Sequence, residues 1–143
     1  MQSPGTESAD RKSVILLVLK IAAKSNRVQP MIQALRSVML PIQLDRGCGG
    51  CHLYEDTGEP NSFFYVEKWA TQRDLEREIR SDRFTRLLSI MESSPTPPVL
   101  EFWFVPQTRG LDYIAEIRTS RPTLHNGLGT DDDNGLGTDD DKY

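Results

Sequence analysis

Hydrophobic positions concentrate between residues 13 and 121, and their spacing changes character several times. Ser13–Ile21 (SVILLVLKI) is an almost unbroken run of β-branched residues and leucine, expected as a buried central strand. Val28, Met31, Ile32, Leu35, Val38 and Met39 then recur at three- and four-residue intervals, one face of an amphipathic helix. Pro41 lacks an N–H and is expected to end or kink that helix. Cys48–Glu55 fits a second strand after a glycine-rich approach, and Asp56–Asn61 (DTGEPN) is turn chemistry. Ser62–Trp69 (SFFYVEKW) is aromatic and β-branched, a third strand completing a hairpin. Thr71 and Asp74 have the spacing of a helix N-cap box. Leu75 and Ile79 begin an apolar face. After a phase break at Ser81–Asp82, Phe84, Leu87, Leu88 and Met91 begin another, so two short helices follow in tandem. Pro95, Pro97 and Pro98 forbid further helix. Val99–Val105 (VLEFWFV) is a fourth strand, and Leu111, Ile114 and Ile117 suggest a short final helix.

The order β-α-β-β-α-α-β predicts an α+β domain with a ferredoxin-like four-stranded antiparallel sheet and its helices on one face. Tyr65 and Trp69 share one face of the third strand, Phe64 and Val66 the other. In the fourth strand Leu100, Phe102 and Phe104 alternate with Trp103 and Val105. Both faces of the sheet therefore carry large apolar groups, while helices cover only one. A second copy of the chain is the expected cover, making the protein a homodimer.

Composition changes this picture mainly at the ends. The 143 residues suit one domain, and hydrophobic residues are only 37% because residues 1–12 and 126–143 have almost nothing to bury. The last segment repeats NGLGTDDD in tandem at 126–133 and 134–141, and its six Asp and one Lys account for the net charge of −4. The remainder is near neutral, which argues against a nucleic-acid surface. Both ends are expected to be disordered, leaving a domain over 13–121. The longest apolar run, Val14–Leu19, is far short of the roughly 20 residues of a membrane span. A secretory leader fits poorly, so a cytoplasmic protein is expected.

Val14 to Val105, about two thirds of the chain, resembles the antibiotic biosynthesis monooxygenase (ABM) family. The matching features are the opening strand running into Lys20-Ile21-Ala22, Gly47-Cys48 before the second strand and Glu67-Lys68-Trp69 closing the third. Leu75 and Ser81 through Phe84 follow at similar spacing. Glu92, the proline-rich turn, Thr108 to Leu111 and Ile114 to Arg118 look like a bacterial subgroup of that family. The resemblance implies a dimeric α/β barrel in which two sheets pack face to face, with a pocket between each sheet and its helices. It also implies oxidation of quinols or polyphenolic aromatics without metal or flavin, the substrate anion itself reducing oxygen. The protein's part would be to deprotonate the phenol, orient it and exclude water. Where members of the family carry histidines, this chain has Glu78 and Arg83. Glu78 serves as a base only if burial raises its pKa, and Arg83 can hold an anion but not accept a proton. Tyr65, Trp69 and Phe84 are the implied walls of an aromatic pocket. The competing expectation is a small-molecule-binding or stress-linked module that kept the pocket and lost the base.

Cys48-Gly-Gly-Cys51-His52 matches the c-type haem attachment pattern formally. No second axial ligand is evident, since the only other histidine is His125 at the edge of the tail. Two cysteines and one neighbouring histidine also fall short of the four ligands of a closed zinc site. The expectation is no cofactor and no metal. Cys48 and Cys51 are then either a redox dithiol pair or two small residues at the start of a strand. The arginines at 73, 77, 80, 83 and 86, interleaved with acids, read as a solvated helix face. Arg83 stands apart because the resemblance points it towards the pocket.

Overall fold

The structure, a computed structural model, describes residues 13–122. The N-terminal segment and most of the acidic tail, with its repeat and His125, lie outside the described residues. The described chain forms two compact units that divide between residues 108 and 109.

The first unit holds strands β1 (Val14–Ala22), β2 (Cys48–Glu55), β3 (Ser62–Trp69) and β4 (Val99–Val105), with helices α1 (Val28–Gln43), α2 (Gln72–Ile79) and α3 (Asp82–Glu92). A single 3-10 turn, Ser25–Arg27, leads into α1. The strands form one antiparallel sheet in the order β2-β3-β1-β4. This is the α+β, ferredoxin-like plan expected from the alternation of residues.

Parity along β1 builds the core. Ile15, Leu17, Leu19 and Ile21 are buried, while the alternate positions from Val14 to Ala22 are half-buried. In register with them, β3 turns Phe63, Tyr65, Glu67 and Trp69 inward. Helix α1 presents Met31, Leu35, Val38 and Ile42, spaced by four, three and four residues, to the same core. The opposite face of the sheet keeps Leu16, Val18, Phe64, Val66 and Trp103 together around an apolar depression of about 440 Å³. Nothing within the first unit covers it.

Caps locate the two tandem helices. The Thr71 hydroxyl accepts from the Asp74 N–H at 3.1 Å, and the Ser81 hydroxyl accepts from the Phe84 N–H at 3.3 Å. The break between α2 and α3 thus has a cause, because Ser81 restarts the helix. Helix α1 departs slightly from expectation by running two residues past Pro41. A proline in the last turn forfeits only one intrahelical bond, and the end closes at once through the Leu44 N–H on the Pro41 carbonyl. In the hairpin between β2 and β3, Asn61 takes the left-handed conformation at φ 59°, which asparagine tolerates better than most residues.

The second unit contains α4 (Leu111–Thr119). Gly110 precedes it, and Arg109 reaches Glu116 at 2.5 Å while its guanidinium lies 4.9 Å from the centre of the Tyr113 ring. The short final helix expected from sequence is present.

Candidate functional site

The inward parity of β3 sets up the site. A strand that buries Phe63, Tyr65 and Trp69 must also bury residue 67, which is a glutamate. A buried carboxylate demands partners, and its strand neighbours supply them. The Tyr65 hydroxyl donates to Glu67 Oε2 at 2.7 Å, and the Trp69 indole N–H donates to Glu67 Oε1 at 2.8 Å. All three side chains are fully buried. Burial pushes the Glu67 carboxyl above the ordinary range, against the two hydrogen bonds that favour its ionised form. Nearby Glu78 raises it further, while Arg83 lowers it.

Glu78, on α2, is the second buried acid. Arg83, in the first turn of α3, grips it through Nη2 at 2.5 Å and Nε at 3.2 Å. The same Nη2 lies 3.5 Å from Asp45 Oδ2. Asp45 also takes Arg77 at 2.7 Å and accepts the Gly47 N–H at 2.9 Å. Gly47 has to be small, because a Cβ there would sit 2.6 Å from the Asp74 side chain. The pull of Glu78 raises Arg83 above its already high value, so it stays cationic throughout. The other helix arginines behave as a charged surface. Arg77 pairs with Asp74 at 2.7 Å, and Arg80 lies 4.0 Å from Glu76.

The structure therefore brings Glu78 and Arg83 together as an ion pair and places Tyr65 and Trp69 as donors to one carboxylate. Phe84 is buried in the first turn of α3. Reading the sequence for chemistry missed Glu67 and Asp45. The signal for Glu67 was present as a lone acid on the apolar parity of a strand.

Cys48 and Cys51 come onto one face because the strand bulges. Cys48 pairs with Trp69, Gly50 with Lys68 and Cys51 with Glu67, so one extra residue shifts the register between the thiols. Both cysteines are free. Burial raises both thiols, Cys51 to about 12, so they are protonated at neutral pH. The neighbouring Tyr65 hydroxyl offsets part of that rise at Cys51. His52 follows Cys51 directly in the strand and faces the other side of the sheet, so the motif cannot converge on one porphyrin. Among the described residues no group of three or more His, Cys, Asp or Glu side chains is placed to hold a metal ion. None of their helices is long and apolar enough to cross a membrane.

Solved structures share this arrangement of sheet and helices. A conserved protein from Methanosarcina mazei Go1 superposes with a TM-score of 0.59 at 22% identity, over 64% of this chain and 92% of that one. A candidate antibiotic biosynthesis monooxygenase from Deinococcus radiodurans gives 0.62 at 13% identity, over 68% and 97%. Another from Nitrosomonas europaea gives 0.57 at 13%, over 68% and 90%. The chain has the ABM fold. At these identities the likeness concerns the fold alone. No protein-family model matches the sequence, and no curated relative matches it either. Within the ABM fold, the Glu67 and Glu78–Arg83 cluster occupies the space between the sheet and the tandem helices.

A consequence of the raised Glu67 carboxyl concerns stability. Its folded pKa lies above the unfolded value of 4.5, so its contribution is complete below that pH and is lost as pH rises through the folded pKa. Denaturation at about pH 5 and about pH 8 should show a loss of stability in the wild type that is smaller in Glu67→Gln. Equal losses in the two proteins would mean that Glu67 is not shifted.

Proposed function

We propose that the chain is an ABM-like homodimer in the cytoplasm that oxidises a quinol or polyphenolic aromatic with molecular oxygen and no cofactor. The observation that carries this reading is the buried Glu67, a carboxylate of raised basicity flanked by Tyr65 and Trp69. A base for a phenol must approach its proton in affinity, and burial moves Glu67 in that direction. In this scheme Glu67 takes the phenolic proton, and Trp69, Tyr65 and Phe84 flank the ring. Arg83, held by Glu78, supplies the positive charge that stabilises the phenolate. The phenolate passes an electron to O2, and the radical pair combines at a ring carbon. Loss of water from the resulting hydroperoxide leaves the quinone. One oxygen atom enters the ring and the other leaves as water, so a phenol plus O2 gives a quinone plus H2O, and a quinol plus O2 gives a hydroxyquinone plus H2O. The aromatic side chains are packed shut, so substrate access needs α2 and α3 to lift from β3.

The closed packing also favours a second reading, a non-catalytic binding or stress-linked module whose polar cluster fixes the core. Oxygen uptake with a panel of hydroquinones and polyphenols separates the two. The enzyme reading expects uptake matched one to one by quinone formation. Tight binding of a panel member without uptake is the result that favours the module.

A further inference from the structure

We propose that helix α4 of one copy docks against β4 of a second copy, in the groove beside the candidate site; this rests on the homodimer proposed above. Two apolar surfaces motivate it. On β4, the edge strand, Phe102 and Phe104 are 36% and 58% exposed on the face that α1, α2 and α3 cover elsewhere. Phe104 also lines a groove of about 420 Å³ together with Ile15, Ala70, Gln72 and Pro106. On α4, Leu111, Ile114 and Ile117 form a stripe opposite Asp112 and Glu116, and they are 83%, 53% and 53% exposed. A nine-residue helix is too short to persist by propensity, since isolated helices under about 12–15 residues are marginal in water. Such a helix needs a surface for its stripe.

The second copy fits as the occupant for reasons of symmetry and area. A two-fold dimer repeats each contact, so one exchange covers both stripes and both grooves. Residues 106–110 tie each arm to its strand and span at most about 18 Å. A stable interface needs about 800 Å² per partner. On the open sheet face Leu16, Val18, Phe64 and Val66 are already half-buried within one chain. The exposed parts of Phe102, Phe104 and the α4 side chains add roughly 500 Å² per copy, taking about 150–250 Å² for each whole aromatic group. The groove also adjoins Ile15, whose partner across the sheet is Trp69. The arm would therefore shield from water the side of the site nearest Trp69.

Cysteine cross-linking tests the exchange. The full-length Phe104→Cys variant is co-expressed with a differently tagged Ile114→Cys variant, oxidised mildly and run without reductant. Gln72→Cys replaces Phe104→Cys in a second pair, in case loss of the ring disturbs the groove. Wild type and single variants control for Cys48 and Cys51. The expected result is a covalent heterodimer in at least one pair, absent from the controls. In the doubly substituted chain, a link confined to one chain would place α4 on its own strand and overturn the proposal. A dimer by light scattering without any cross-link overturns the exchange and leaves the homodimer standing. A monomer by light scattering removes both.

Discussion

Val66→Lys should turn the protein into a folded monomer. Val66 lies at the middle of the open sheet face, paired with Val18 on one side and His52 on the other. Its side chain points away from the core of its own subunit, so secondary structure by circular dichroism should be unchanged. In a face-to-face dimer a lysine there is buried without a partner, and the two-fold axis brings in a second one. An uncompensated buried charge costs several kcal/mol, and every 1.4 kcal/mol is about tenfold in Kd. Light scattering should fall from near twice 16.2 kDa to 16.2 kDa at micromolar concentration. A variant that remains dimeric would mean that the copies meet elsewhere.

Arg83→Ala should be the most damaging single truncation of the cluster. It removes every Arg83 hydrogen bond to Glu78 and leaves a carboxylate that is 1% exposed facing Glu67 across the site. Stranding one member of a buried pair costs about 3–5 kcal/mol. Arg83 itself keeps 30% of its side chain open to water, which places the loss at the lower end of that range. The double variant Glu78→Gln with Arg83→Met should recover much of it, because no charge is left unpaired. The urea midpoint reads both effects. A loss no larger than that of an ordinary surface ion pair would show that water already reaches Glu78.

The parts of this structure that were legible in the sequence are those set by local periodicity. The alternation in β1, β3 and β4 gave both faces of the sheet, and therefore the uncovered one. The Thr71 box and the phase break at Ser81 gave the two helices. The site was harder to see because its members are brought together by tertiary placement. Glu67 reads as a solvent position until the parity of β3 is taken strictly. Glu78 and Arg83 are five residues apart across a helix break, and they meet only because Ser81 turns α3. Asp45 reaches Arg83 from the loop after α1, and nothing in its local sequence marks it. The bulge that aligns Cys48 and Cys51 likewise depends on pairing with β3. The extension of α1 past Pro41 follows from how close the helix already is to its end.

The most direct measurement is oxygen uptake by wild type and Glu67→Gln side by side, with the most active hydroquinone or polyphenol of the panel. Gln keeps the shape and a hydrogen-bonding oxygen but cannot accept the phenolic proton. If Glu67 is the base, kcat should fall by about 10²–10⁴, the usual worth of general base catalysis, while KM changes little. Wild-type kcat should rise with pH through an apparent pKa above the ordinary carboxylate range, and that limb should be absent from the variant. Uptake in Glu67→Gln at the wild-type rate and with the same pH profile would contradict the assignment of Glu67 as the base.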